Sequence, residues 1–254
     1  MDRPIANRPL EHRCELLRSL HVPGDPLVLP NAWDVASAKA VVAAGFPVVA
    51  TTSGGVAESL GYQDHEGAPV EEMLAAAARV AGGVDVPVTV DAEAGYGLEP
   101  SELVAALRTA GAAGCNLEDT DHGTKSLRDA DDHADWLRAV RAAAAENGYG
   151  LVINARIDVF LTGDGSSAEA LERATAYFQA GADCVYPIFL SEPEALSAFV
   201  EGAGGPVNVL AVPQAPPLAE FASLGVARVS YGGLLHREVM ERFQRELRSL
   251  AVRA

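Results

Sequence analysis

The chain has 254 residues, 49% of them hydrophobic and 21% charged, a composition that excludes a disordered chain or a disulfide-stapled peptide and leaves ample length for a core. A formal net charge of -16 at pH 7 opposes attraction to nucleic-acid phosphates or anionic lipid, so the expected partner is a small molecule or another copy of the chain. The three cysteines, Cys14, Cys115 and Cys184, form neither a disulfide framework nor a close-spaced metal cluster and read as packing residues.

From Met1 to Pro26 there is no apolar run of signal-peptide length, and no segment approaches the roughly 18 apolar residues of a membrane span; a cytoplasmic protein is expected. An N-terminal helix over Glu11–Leu20 opens the chain. Strand-length apolar runs then alternate with Ala-rich helical runs, the pattern of a parallel α/β sheet. Strands are expected near Leu27–Pro30, Val48–Thr51, Pro87–Asp91, Gly114–Glu118, Leu151–Ala155, Cys184–Tyr186, Val207–Ala211 and Arg228–Ser230. The helices that follow them are expected near Asp34–Ala44, Val70–Ala81, Pro100–Ala110, Asp131–Glu146, Ala168–Ala180, Glu194–Glu201, Leu218–Ser223 and Leu234–Leu250.

Gly45, Gly111, Gly181 and Gly225 each stand where a helix should end and the next strand begin, as a left-handed terminating residue does. Eight such units without a linker, over residues 1–254, predict a single (β/α)8 TIM-type barrel with an N-terminal helix and a short C-terminal helix. A doubly wound sheet would normally carry a Gly-rich turn after an early strand, where this chain has Asn31-Ala32-Trp33.

Barrel chemistry gathers at the C-terminal strand ends. The third strand ends Val90-Asp91-Ala92-Glu93, and period-two alternation places Thr89, Asp91 and Glu93 on one face. Two carboxylates so close call for a cation or a shared proton; the alternative is that one caps a helix. On the fourth strand Asn116 and Glu118 share a face, and on the fifth Asn154, Arg156 and Asp158 do. Arg156 is suited to clamp a substrate carboxylate, or else to pair with Asp158. Ser53-Gly54-Gly55, after the second strand, exposes backbone N–H groups to an anion.

These elements resemble a known family. Pro30-Asn31-Ala32-Trp33-Asp34, Ser53-Gly54-Gly55, Leu60-Gly61-Tyr62-Gln63-Asp64, Asp91-Ala92-Glu93-Ala94-Gly95-Tyr96-Gly97, Leu117-Glu118-Asp119 and Asn154-Ala155-Arg156 are similar, in order, to the motifs of the isocitrate lyase/phosphoenolpyruvate mutase superfamily. The resemblance implies a (β/α)8 barrel, Mg2+ or Mn2+, chemistry through a 2-oxo acid enolate, and homodimers or homotetramers that often exchange a C-terminal helix. It implies Asp91 as the direct metal ligand, with Glu93, Glu118 and Asp64 acting largely through water. It gives Arg156 and the Ser53-Gly54-Gly55 amides the carboxylate and enolate oxygens, with Asn154 beside them and Trp33 as a pocket wall.

The chain departs from the subgroups it resembles. The isocitrate-cleaving lyases carry a Lys-Lys/Arg-Cys-Gly-His loop after the fourth strand, whereas this chain reads Glu118-Asp119-Thr120-Asp121-His122-Gly123-Thr124-Lys125-Ser126. The mutases carry Glu-Asp-Lys there and a later His where this chain has Tyr186-Pro187-Ile188. His122, Lys125 and Arg128 become the candidate proton-handling residues beside Glu118 and Arg156, with His236, Tyr62 and Tyr96 as further candidates, His122 being either an acid/base or a solvated loop residue. The expected function is a Mg2+-dependent lyase of a small 2-oxo or 2-hydroxy carboxylate. The alternatives are a phosphonomutase or phosphonopyruvate hydrolase, and a noncatalytic metal-dependent carboxylate binder.

Overall fold

In the computed structural model, which describes residues 9–162, 165–213 and 215–251, parallel strands follow one another in space in the order of the chain. β1 (Leu27–Leu29) and β2 (Asn31–Ala32) are successive pieces of one extended segment, parted at Pro30, which has no N–H to give to a ladder. β2 pairs with β3 (Val49–Thr51), β3 with β4 (Val88–Asp91) and β4 with β5 (Gly114–Glu118). A small antiparallel hairpin follows, β6 (Thr120–Asp121) with β7 (Ser126–Leu127). The parallel ladder resumes with β8 (Val152–Ile157) and β9 (Cys184–Pro187).

β10 (Asn208–Leu210) pairs with β11 (Arg228–Ser230), and β11 pairs back onto β1. Between β9 and β10 there is one parallel bridge, Val185 to Val207, with the Val185 N–H donating to Pro206 O at 3.0 Å. With β1 and β2 counted as one, the pairing runs around the eight-stranded ring expected of a (β/α)8 barrel.

Helix α1 (Leu10–Ser19) buries Cys14 and Leu17 against the N-terminal end of the ring. There Arg18 reaches Asp183 Oδ1 at 2.7 Å and Gly150 O at 2.9 Å. The outer helices are α2 (Val35–Ala43), then, after a short α3 (Ser53–Leu60), α4 (Val70–Gly83), α5 (Pro100–Ala110), α6 (Ala130–Glu146), α7 (Ser167–Gln179), α8 (Pro193–Ala203), α9 (Leu218–Ser223) and α10 (Leu234–Ala251). Their apolar residues recur at helical spacing: α4 buries Met73, Ala77, Val80 and Ala81, one stripe directed at the sheet. Gly45, Gly111, Gly181 and Gly225 all take positive φ, from 77° to 102°.

Helix α3 and the β6–β7 hairpin are the elements not expected. Ser53-Gly54-Gly55 is the first turn of α3, with the Val56 N–H donating to Thr52 O at 3.0 Å. Paired glycines have poor helix propensity, but packing decides here: a Cβ on Gly55 would stand 2.9 Å from Thr52 Cγ2 and 3.1 Å from Trp33 Cβ. At the other end of the chain, α10 leaves Val239, Phe243, Leu247 and Leu250 exposed at spacings of four, four and three. No described helix is long and apolar enough to cross a membrane.

Candidate active site

Asp91 closes β4 at the C-terminal rim of the ring. Its backbone N–H donates to Thr51 Oγ1 at 2.9 Å, and its Oδ2 accepts the Ser53 N–H at 3.1 Å. Both contacts come from the β3–α3 junction, which fixes the carboxylate at the α3 N-terminus, where the helix dipole favours a negative group. Its other oxygen, Oδ1, is buried with no hydrogen-bond partner among the described residues.

Glu93 joins Asp91, but not by strand alternation. β4 stops at Asp91, and Glu93 takes φ 47°, a left-handed conformation that turns the chain instead of extending it. The turn continues through Gly95 at φ 92°, where a Cβ would also lie 2.7 Å from the Trp136 ring. Glu93 Oε2 accepts the Glu66 N–H at 2.6 Å and its Oε1 accepts the Tyr96 hydroxyl at 3.1 Å. Burial, and next the charge of Asp91, push the Glu93 carboxyl up to about 8. Tyr96 is itself raised by burial and by Glu93, so it serves as a donor that holds Glu93 in place.

Glu118 and Arg156 are register partners on β5 and β8. Glu118 Oε2 lies 2.6 Å from an Arg156 terminal nitrogen, and its Oε1 lies 2.7 Å from His122 Nε2. Burial pushes Glu118 up to about 7 against the opposing charge of Arg156. The contact with Glu118 in turn raises His122 above its ordinary value. His122 Nε2 is also 4.0 Å from Glu93 Oε2, so one imidazole sits between two glutamates.

Arg156 both lines the mouth and is ion-paired. Its Nε and second terminal nitrogen donate to Asp158 Oδ1 and Oδ2 at 2.6 and 2.7 Å. Asp158 lies just past β8, so turn geometry brings it to Arg156. Its Oδ2 accepts Thr120 Oγ1 at 2.5 Å, and its N–H donates to Asp119 Oδ1 at 2.8 Å. Asp119 Oδ2 accepts Tyr177 OH at 2.7 Å and an Arg173 nitrogen at 3.1 Å. Asp119 is fully buried. In the sequence Asp119 stands in the Leu117-Glu118-Asp119 motif without an assigned role; a second acid directly after Glu118, at the end of an apolar strand, was the available signal.

A cavity of about 400 Å³ opens at this rim, lined on its polar side by Ser53, Asp64, Asp91, Asn116 and Arg156. An adjoining cavity of about 300 Å³ is lined by His122, Lys125, Arg156 and Asp158. Lys125 stands in the turn of the β6–β7 hairpin, exposed, at φ 58°; the hairpin carries it away from the larger cavity. Gly54 and Gly55 face a third space, of about 540 Å³, with Tyr62, Asp64 and His236, because winding into α3 turns them away from Ser53.

Two expected pocket residues lie behind the larger cavity. Asn154 is fully buried and donates to Asn116 Oδ1 at 2.9 Å, so it orients a lining residue without lining the cavity. Trp33 packs edge-on to His236, with ring centroids 4.8 Å apart, and is not part of the wall. Residues not singled out in the sequence are Glu66, which holds Glu93 and accepts the Tyr96 N–H at 2.6 Å, and His65, whose ring lies 5.3 Å from that of His122. Both directly follow the Leu60–Asp64 motif.

Among the described residues no group of three or more His, Cys, Asp or Glu forms a ready-made metal cluster. The arrangement is an open one: a buried carboxylate oxygen on Asp91 without a partner, two neighbouring carboxyls raised by burial, and the exposed Asp64. Such a donor set fits a hard cation that keeps several waters and not a closed nitrogen–sulfur site.

The family model for phosphoenolpyruvate phosphomutase matches residues 17–251. An uncharacterized protein of Mycobacterium tuberculosis is 37% identical over 216 residues, 85% of this chain and 81% of that protein. The 2-methylisocitrate lyase of Salmonella typhimurium is 30% identical over 210 residues, 74% of this chain and 70% of that enzyme. The crystal structure of a Burkholderia cenocepacia protein, provisionally named a phosphonomutase, superposes with a TM-score of 0.90 at 39% identity, covering 93% of this chain and 99% of that one. The chain thus belongs to the phosphoenolpyruvate phosphomutase family of the isocitrate lyase/PEP mutase superfamily, whose members are lyases and mutases.

Proposed function

We propose that this enzyme is a Mg2+- or Mn2+-dependent lyase of a small 2-oxo or 2-hydroxy carboxylate, acting by C–C cleavage or decarboxylation through an enolate. The observation that carries this reading is the buried, unpartnered Oδ1 of Asp91 at a cavity that Arg156 also lines. Asp91 would hold the cation directly, with Glu93, Glu118 and Asp64 around its waters. When bound there, the metal supplies Lewis-acid stabilisation of the enolate charge.

The chain's own residues supply the rest. Arg156, kept in one orientation by Asp158 and Glu118, presents a fixed positive face to a carboxylate. The α3 N-terminus adds partial positive charge at Ser53. His122 Nε2, in contact with Glu118 Oε1, keeps a proton more firmly than a free imidazole because of that carboxylate, and Lys125 stands beside the same adjoining cavity. Incubation with Mg2+ and a panel of 2-oxo, 2-hydroxy and phosphono acids, followed by NMR, tests the assignment. Release of pyruvate or CO2 from a carboxylate is expected.

Likeness to the provisionally named phosphonomutase favours one second reading, P–C bond chemistry, and turnover of phosphonates alone would establish it. We further read the protein as a cytoplasmic homodimer or homotetramer. The free buried thiols suit a reducing compartment, and the exposed apolar stripe of α10 supports self-association. Light scattering at micromolar concentration that reports monomer would overturn the oligomer.

A further inference from the structure

Opposite its polar side, the 400 Å³ cavity is bounded by Leu161, Tyr186, Ile188, Phe189, Leu210 and Val212. Leu161 lies in the loop after β8, Tyr186 lies in β9 with Ile188 and Phe189 just beyond it, and Leu210 closes β10 with Val212 just beyond it; none of the six carries a charge. The second arginine of the lining, Arg237, is exposed on α10.

The wall is built and held. The Ile188 N–H donates to Ile157 O at 3.2 Å, the Leu190 N–H to Pro187 O at 3.1 Å and the Ala211 N–H to Ser230 O at 2.8 Å. Phe189, between the first two, takes φ 66° and is 47% exposed. A bulky side chain in the left-handed region is a rare and strained conformation. Here it sets an aromatic ring at the cavity mouth, where water covers about half of it.

Size points the same way. A cavity of 400 Å³ lies in the range that encloses a whole drug-sized ligand, and a bare three- or four-carbon acid gripped at Asp91 and Arg156 leaves the far wall against water. Apolar surface in that position favours an apolar ligand group.

We propose that the substrate is a 2-oxo or 2-hydroxy acid with an apolar substituent, which packs on the Leu161, Ile188, Phe189, Leu210 and Val212 wall while the acid head lies at Asp91 and Arg156. This rests on the carboxylate-lyase reading above. It assigns to the wall the choice among such acids.

Calorimetric titration of the full chain with saturating Mg2+ tests the assignment without requiring turnover. The probes are oxalate, pyruvate, 2-oxobutanoate, 2-oxopentanoate and 4-methyl-2-oxopentanoate. Oxalate reports the head site alone. Along the oxo acids each added methylene is expected to tighten Kd by about fourfold, the equivalent of ~0.8 kcal/mol per buried methylene. Ile188→Ser and Phe189→Ser are expected to shrink that step, and Phe189→Ser, at an exposed position, remains informative if the Ile188 variant does not fold. Equal or weakening affinities along the series, with oxalate still bound in a Mg2+-dependent manner, would overturn the apolar-substituent proposal alone. Failure of oxalate to bind would overturn the carboxylate reading beneath it.

Discussion

Two sides of one barrel mouth are built from the same kind of strand end and behave differently. On the β4, β5 and β8 side, each buried acid is tied to a named donor: Asp91 to the Ser53 N–H, Glu93 to the Glu66 N–H and the Tyr96 hydroxyl, Glu118 to Arg156, Asp158 to Arg156 and Thr120, and Asp119 to the Asp158 N–H. On the β9 and β10 side, the lining includes Tyr186, Ile188, Phe189, Leu210 and Val212, with their backbones hydrogen-bonded in place at Ile188, Leu190 and Ala211. Buried charge is costly unless each oxygen is matched, so the acidic side depends on partners several residues deep. The apolar side carries no such requirement. Substitutions there change shape and size, while substitutions opposite change protonation and stability.

The sharpest way to break this comparison lies behind the acidic side. Asp119→Ala would remove the shared acceptor of an Arg173 nitrogen, the Tyr177 hydroxyl and the Asp158 N–H, while Arg173 keeps Glu169 and Arg128 O, and a loss of about 3 kcal/mol in urea denaturation is expected from the buried donors left unpaired. A loss below about 1 kcal/mol would mean that the acidic side is not anchored there.

Asp91→Ala comes next. At a hundredfold excess of Mg2+ over Kd, binding to the native state should stabilise wild type by about 2.7 kcal/mol, and the variant should lose that rise in melting temperature. Without metal the variant should differ from wild type by no more than about 1 kcal/mol, because only the Ser53 N–H loses its partner. Retention of the full Mg2+ shift would place the metal elsewhere.

A pH series sharpens the contrast further. Glu93 and Glu118 are raised in the folded protein to about 8 and about 7, from ordinary values of 4.5. Between those limits the native state holds more protons than the unfolded one, so metal-free stability should fall as pH rises from 4.5 through 8. Glu93→Gln should flatten the upper part of that decline in thermal melts at successive pH values; an unchanged slope would show that Glu93 ionises freely. The smallest effect is expected on the apolar side, where Phe189→Gly releases a left-handed side chain and should raise stability by about 1 kcal/mol in urea denaturation.

The ring and its punctuation were legible in the sequence because each βα unit repeats one local rule: an apolar strand, an Ala-rich stripe and a glycine at the helix end. Asp91, Glu118 and Arg156 were visible as polar residues closing apolar strands. Glu93 was visible too, but its route was not, since a left-handed residue leaves no mark in a period-two pattern. Helix α3 was hidden by its paired glycines, whose presence reflects crowding of Gly54 by Asp64 and of Gly55 by Thr52 and Trp33 and not a flexible loop. The apolar wall was illegible for another reason: Leu161, Ile188 and Leu210 each resemble ordinary core residues in their own segment, and only closure of the ring assembles them.

That closure is uneven. β5 and β8 pair over five residues, from Gly114–Val152 to Glu118–Arg156, whereas β9 and β10 share the single bridge between Val185 and Val207. Local opening starts where the fewest hydrogen bonds must break, so amide protons near Val185 and Val207 should exchange with solvent before those of β5 and β8. The seam lies directly below Ile188 and Leu210. Breathing there, on the microsecond-to-millisecond scale of collective motions, would widen the apolar wall to admit a bulky substituent while the five-residue ladder across the mouth keeps Glu118 and Arg156 in register.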